Sequence, residues 1–222
     1  EARSSEMSNN PDRVGKTYDA ILTEKLCTTE QTLYRRGNFM GTWDQVLVNS
    51  LREEHSADFA MSAGVRWGTS VPAGHDVTME DLMTNTSMTY GETYVSELKG
   101  AQLKDILEGI AENLFVQDPY LQSGGDMVRM GGMDYTIDPA AGLGERISDM
   151  KDDEGTPIDP NKSYKVSGWA QVGSIGNGRL MWDVAADYLR KQKHLNLSKV
   201  NHPTIKGVKD NPGIENYDGE LI

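Results

Sequence analysis

The stretch "AQLKDILEGIAENLF", residues 101–115, carries Leu103, Ile106, Leu107, Ile110 and Leu114 at the three- and four-residue spacing of one helix face. An apolar stripe of that width must be covered by another part of the chain. The cover lies on either side in sequence. "SMTYGETYVSELKG" (87–100) reads as a strand or hairpin bulged at Gly91. Residues 124–170 break into the strand pieces "DMVRM", "DYTID", "ERISDM" and "SYKVSGW" between Gly, Pro and Asp turns. A helix packed on such strands gives an α+β fold, here a single mixed α/β domain.

Other segments extend this pattern. "GTWDQVLVNSLREEH" (41–55) has a helical stripe through Trp43, Val46, Leu47 and Leu51, with Thr42 and Asp44 near its start. "TMEDLMTNT" (78–86) opens with Thr78 and, three residues on, Asp81, a capping-box spacing. "GRLMWDVAADYLRKQ" reads as a closing helix with Met181, Val184, Ala185, Tyr188 and Leu189 on one side. "VGKTYDAILTEKL" (14–26) has helical character, while "TTEQTLYRR" (28–36) and "ADFAMS" (57–62) read as strands. Residues 1–27 are therefore expected to be an N-terminal tail and connecting helix. Residues 28–222 are expected to be one domain whose tail, from about 195, wraps the surface.

A net charge of −12 argues against general binding to nucleic acid or an anionic membrane, both of which need a basic face. No run of about 18 apolar residues is present. One cysteine, Cys27, can form no internal disulfide and is read as a structural residue on a helix. His55, His75, His194 and His202 stand apart, without HxH, HExxH or DxH pairs, so no metal site is expected within this chain. "GSIGNG" (173–178) lacks the Lys-Ser/Thr ending of a phosphate loop and reads as a turn.

What remains is a set of arginines in glycine-rich turns: Arg36 in "YRRGNFMG", Arg66 in "AGVRWG" and Arg129 in "SGGDMVRMGG". Glycine allows close backbone approach to a ligand, and a guanidinium grips tetrahedral oxyanions through its fork of donors. One such arginine would be an ordinary surface residue. Three, with Trp67, Tyr90 and Trp169 nearby in sequence motifs, point to an anion-binding cleft with aromatic walls. Core packing is the equal alternative for Trp67 and Trp169, and a structural hairpin role is the expectation for Arg129.

The order of "YRRGNFMGTWDQVL", "ADFAMSAGVRWGTSVPAGHDVTMEDLMTNTSMTYGETYVSELKGAQLKDILE", "GGMDYTIDP" and "SYKVSGWAQV" is similar to the C-terminal domain of the 5'-nucleotidase superfamily. Within it, "LYRRGNFMGTWDQ", "GVRWGT", "NLFVQDPYLQSGGDMVRMGGMDYTIDP" and "YKVSGWA" most resemble the SoxB thiosulfohydrolases of bacterial sulfur oxidation. The resemblance spans residues 14–195.

That resemblance implies the C-terminal half of a larger, periplasmic enzyme. Its partner would be an N-terminal metallophosphoesterase domain holding two manganese or other divalent ions, where water attack releases sulfate. Such enzymes take a thiosulfonate carried on a cysteine of a SoxYZ-like sulfur-carrier protein. None of the superfamily's metal-ligand motifs occurs here, so the isolated chain is expected to be inactive and to hold no cofactor itself.

The family's R-x-x-x-x-G substrate arginine corresponds to Arg36, with Gly41. Its N-G-G-G-I-R loop corresponds to "MSAGVR", giving Arg66 as the catalytic and substrate-binding arginine and Met61 where a nucleotidase has Asn. The base-stacking Phe corresponds to Tyr90. The second stacking Phe and the acidic residue of F-x-x-x-G-G-D-G correspond to Gln171 and Asn177. Losing a stacking aromatic forfeits about 1–3 kcal/mol per base, which weakens nucleoside recognition. Trp67 and Trp169 would shape the entrance with Tyr90. The alternatives are a nucleotidase or UDP-sugar hydrolase domain, and a non-catalytic module that docks a partner.

Overall fold

A computed structural model describes residues 16–35, 39–171 and 176–207. Helices α1 (Tyr18–Leu22), α2 (Thr42–His55), α3 (Met79–Thr86), α4 (Gly100–Phe115) and α5 (Met181–Gln192) alternate with ten short strands. These are β1 (Lys25–Thr29), β2 (Phe59–Ser62), β3 (Asp76–Thr78), β4 (Thr93–Lys99), β5 (Arg129–Gly131), β6 (Met133–Ile137), β7 (Ile147–Asp152), β8 (Ser163–Trp169), β9 (His194–Leu195) and β10 (Thr204–Ile205).

The central sheet has the order β4-β8-β2-β5, with β2 and β8 parallel and both outer pairs antiparallel. Its strands obey the two-residue alternation of a sheet covered on both faces. Ala60 and Trp169 join one apolar cluster with Val46, Leu47 and Leu51 of α2. Phe59, Met61, Tyr164 and Val166 join a second with Leu103 and Leu107 of α4. Smaller sheets, β3-β1-β9 and β10-β6-β7, extend the first and second clusters respectively. The mixed α/β fold read from the sequence is the fold observed.

The α4 stripe is buried as its spacing predicts: Leu103, Leu107 and Ala111 are fully covered, and Ile106, Ile110 and Leu114 pack at the edge. The Thr78 capping box also forms. The Asp81 amide donates to Thr78 Oγ1 at 3.3 Å, and the Thr78 amide donates to Asp81 Oδ2 at 2.9 Å.

Several expectations change. Of the strand read over 28–36, only Thr28 and Thr29 lie in a strand, with an isolated bridge from Leu33 to Val71 and residue 36 outside the described residues. The helix read over 14–26 reduces to the five residues of α1, because Lys25–Thr29 pairs with β3 and β9 instead. Cys27 therefore sits on a strand, 1% exposed, and burial pushes its thiol up to about 11. The bulge expected at Gly91 is absent: β4 pairs with β8 without a register break, and the irregular residue is Tyr90, at φ 63°. The segment after 195 is more than a wrapping: up to residue 207 it contributes β10 and buries Asn201, which accepts from the Gly132 amide and donates to Asp134.

Candidate functional site

The register of the central sheet brings four strand ends into one row. Thr93 lies opposite Trp169, Gly168 opposite Met61, and Ser62 opposite Arg129. The loop residues that leave or enter this row are 63–68 after β2, 170–171 and 176–178 after β8, 90–92 before β4 and 126–128 before β5. The carboxyl ends of neighbouring parallel strands are where open sheets commonly hold ligands. Arg66, Trp67, Tyr90, Gln171 and Asn177 all stand on these loops, and Trp169 closes β8 beneath them. Arg36 lies outside the described residues, as do residues 173–175 of "GSIGNG".

Arg66 is not a lone cation. Its Nε and Nη2 donate to Asp126 Oδ1 at 2.9 and 2.7 Å, and Nη2 also donates to the Gly125 carbonyl at 2.9 Å. The guanidinium remains exposed, with 63% of the side chain open to solvent, whereas Asp126 is 5% exposed. Gly64 permits this approach: a Cβ there would lie 2.6 Å from both the Asp126 side chain and the Met127 carbonyl.

Behind this pair the ion pairs continue into the core. Asp126 Oδ2 accepts from Arg129 Nη2 at 3.3 Å, and Arg129 donates to Asp44 Oδ2 at 3.2 Å and to the Met127 carbonyl at 3.0 Å. Asp44 Oδ1 accepts from Arg35 Nε at 2.9 Å. Arg35 then donates to the carbonyls of Ala63, at 3.0 Å, and Asn85. These five side chains carry one net positive charge and tie Arg35 and the start of α2 to residues 63–66 and 126–129. Arg129 is thus a fully buried structural residue, as expected, although it spans from a strand to α2 and not across a hairpin.

Trp169 belongs to the core beneath the site. It is 2% exposed, its indole N–H donates to Ser62 Oγ at 2.8 Å, and the Arg35 guanidinium lies 5.7 Å from its ring centre. Trp67 and Tyr90 are on the outside, 48% and 38% exposed. Gln171 and Asn177 are exposed as well. Met61 turns into the second core cluster, so no polar group faces the loop from that position. Tyr90 and Ala170 both adopt left-handed backbone, at φ 63° and 59°, and the Ala170 amide donates to the Tyr90 carbonyl at 3.1 Å. Backbone of this kind in non-glycine residues persists where the surroundings hold it, and it concentrates at ligand sites.

Sequence reasoning passed over Asp126, Asp44 and Arg35. Asp126 stands three residues before Arg129, but nothing local announces that it also reaches Arg66. A separate cleft of about 580 Å³ lies between α1 and α5, lined by Lys16, Glu24, Glu92, Arg179, Asp187 and Arg190. Arg179 pairs there with Asp187, and Arg190 with Glu24. Among the described residues, no group of three or more His, Cys, Asp or Glu is placed to hold a metal ion, and no helix is long and apolar enough to cross a membrane.

The 5'-nucleotidase C-terminal domain family model matches residues 19–187. A comparison with curated protein sequences finds no match. Among solved structures, the sulfate thiohydrolase SoxB of Thermus thermophilus, in complex with glycerol, is 33% identical with a TM-score of 0.79. The match covers 87% of this chain and 37% of that one. A 5'-nucleotidase precursor from Thermus thermophilus is 16% identical, TM-score 0.66, over 86% of this chain and 41% of that one. The NAD nucleotidase of Haemophilus influenzae is 17% identical, TM-score 0.65, over 85% and 39%. The chain thus spans about two-fifths of the length of each, and the latter two likenesses speak for the fold alone. With the model matched over most of its length, the chain belongs to the 5'-nucleotidase C-terminal domain family.

Proposed function

We propose that this domain binds the substrate of a SoxB-like thiosulfohydrolase, in which sulfate is released from a thiosulfonate carried on a cysteine of a sulfur-carrier protein in the periplasm. The observation that carries this reading is Arg66: an exposed guanidinium on the loop that leaves the carboxyl end of β2, fixed by Asp126, whose other oxygen is held by the buried Arg129. A sulfonate is a tetrahedral oxyanion, and it suits an exposed, fixed guanidinium whose Nη1 donors stay open among the described residues. The 33% identity to SoxB, set against 16% and 17% to the nucleotidases, supports the thiosulfonate over a nucleotide. So do Gln171 and Asn177, which offer neither an aromatic face nor a carboxylate to a nucleoside.

In that reaction a water oxygen bonds to the terminal sulfonate sulfur, the sulfur–sulfur bond breaks, and the carrier keeps a persulfide. The water's two protons end on the persulfide and the sulfate or in solvent. Arg66 orients the sulfonate oxygens and stabilises charge gathering on them. Trp67, next to Arg66 in the chain, and Tyr90, on the loop before β4, are both exposed and in this reading line the approach of the carrier's peptide arm. The described residues do not fit a two-metal centre, so two manganese or other divalent ions belong in this reading to an N-terminal metallophosphoesterase domain.

The test is sulfate release from a thiosulfonate-loaded carrier protein by the full-length enzyme, beside AMP hydrolysis, with the 222-residue chain as control. Sulfate release by the full-length protein alone is the expected result. AMP hydrolysis without sulfate release would assign the domain to a nucleotidase, and activity in neither assay would leave a docking module.

A further inference from the structure

We infer that Asp126 is a positioning residue that sets the angle at which Arg66 presents its donors to an oxyanion. The inference rests on the proposed role of Arg66 as the oxyanion contact. A guanidinium has five N–H donors in a rigid plane. In Arg66 the Nε–H and one Nη2–H converge on a single carboxylate oxygen, Asp126 Oδ1, and Nη2 also reaches the Gly125 carbonyl. This is a side-on grip. It occupies the Nε edge and leaves both Nη1 hydrogens without a protein partner among the described residues. An end-on grip through Nη1 and Nη2 would have covered the face that a ligand needs.

Asp126 can hold this angle because it is itself held. Its carboxylate is 5% exposed, and its other oxygen takes Arg129 Nη2, from a guanidinium with no exposure at all. Arg129 is anchored in turn on Asp44 and on the Met127 carbonyl. The exposed arginine is therefore referenced to the core through one shared carboxylate, whereas a typical surface arginine wanders among rotamers. The same contact admits a rival reading, in which Asp126 is an internal anion that competes with the ligand for Arg66. The two differ in the sign of one mutational effect.

Asp126→Asn separates them. An amide has one accepting end, so it can satisfy Arg66 or Arg129 and must turn its NH₂ on the other. The probe is inorganic sulfate, titrated in chloride-free buffer into the 222-residue chain and into the full-length enzyme, with the Arg66 Nε–H resonance followed by NMR. Positioning predicts that Asp126→Asn weakens sulfate binding by about tenfold, the size of a typical coupling between residues in contact. It also predicts that Arg66→Ala/Asp126→Asn is no worse than Arg66→Ala, and that Asp126→Glu recovers part of the loss. Thermal unfolding of each variant shows whether the fold is intact. Asp126→Glu carries the test if the Asn variant fails to fold, with intermediate affinity and a shifted Nε–H signal expected. Tighter sulfate binding by Asp126→Asn would establish the competitor and overturn the inference. Binding that needs Arg66 but is indifferent to Asp126 would overturn the inference alone. Wild-type protein that binds no sulfate would overturn the oxyanion reading and this inference with it.

Discussion

Asp44 and Arg129 meet inside the protein at 3.2 Å, with neither side chain exposed. The same carboxylate accepts from Arg35 at 2.9 Å and from the Gly41 amide at 3.0 Å, so one buried anion serves two buried cations and the start of α2. A pair of this kind adds little over a well-packed apolar pair, but breaking it leaves a charge in the interior without its partner, at a cost of about 3–5 kcal/mol. Asp44→Ala should therefore lower the unfolding free energy by at least about 3 kcal/mol in urea denaturation followed by circular dichroism. A loss below about 1 kcal/mol would mean that Arg35 and Arg129 are satisfied without it.

Gly68 holds the far side of the Arg66 turn. Its φ is 112°, and a Cβ there would sit 2.1 Å from Asn85 Oδ1. Asn85 has little room to retreat, since its Nδ2 donates to the carbonyls of Asp81, at 2.8 Å, and Thr69, at 3.3 Å, while its own carbonyl accepts from Arg35. Gly68→Ala combines backbone strain of about 1–3 kcal/mol with this clash. Gly74→Ala is the control, because φ there is 78° but nothing lies within 4 Å of the added methyl. Unfolding measurements should show the larger loss at Gly68; equal losses would mean that Asn85 moves freely.

The parts of the fold that showed in the sequence are those whose signal is local. The stripe of α4 and the capping box of α3 are patterns within a dozen residues, and both form as written. The strand at Lys25–Thr29 was hidden because its partners, Asp76–Thr78 and His194–Leu195, lie far along the chain, and Ile21, Leu26 and Cys27 fit a helix as well as a strand. The site follows the same division. Glycines around Arg66 marked an exposed turn, but Asp126 is 60 residues away and only the fold joins them. Trp169 has an apolar body and a polar tip, which suits a cleft wall or a core. The core took it because Ser62, level with it on β2, supplies the hydroxyl its indole N–H needs.

Two histidines give the protein a mildly acidic weakness. Burial holds the imidazole of His202 below its usual range, with Arg129 adding to the effect, and Nδ1 of His202 is buried without a partner among the described residues. Burial lowers His55 as well, and its Nε2 lies 3.0 Å from Thr93 Oγ1. A histidine whose folded pKa is depressed takes up its proton more readily once unfolded, so its contribution is complete above the unfolded value. It is lost as pH falls from about 6.5 through the folded value. Unfolding free energy should therefore decline between pH 7.5 and 5.5, by up to about 1.4 kcal/mol per pH unit for each proton taken up. A His55→Asn/His202→Gln variant should show a flatter profile over this interval. Carboxylates with lowered pKa values, Asp153 and Asp187 among them, act at lower pH, where both profiles should fall together. An unchanged slope in the double variant would place the acid sensitivity elsewhere.

Arg66→Ala separates function from stability more cleanly than any change in the core. The side chain is largely exposed, and exposed ion pairs add little to folding, so the variant should melt close to the wild-type temperature. Asp126 keeps its second contact, to Arg129, and so is not stranded. In the full-length enzyme the same change should reduce turnover on a carrier-bound thiosulfonate by about 10²–10³, the usual effect of removing one preorganised oxyanion donor. Arg66→Lys restores the charge without the planar fork and should recover only part of that loss. Steady-state sulfate release from wild-type, Ala and Lys enzymes, with melting curves alongside, decides the matter. Wild-type turnover in the Ala variant would reduce Arg66 to a turn residue held by Asp126, and the oxyanion site would then have to be sought at another arginine.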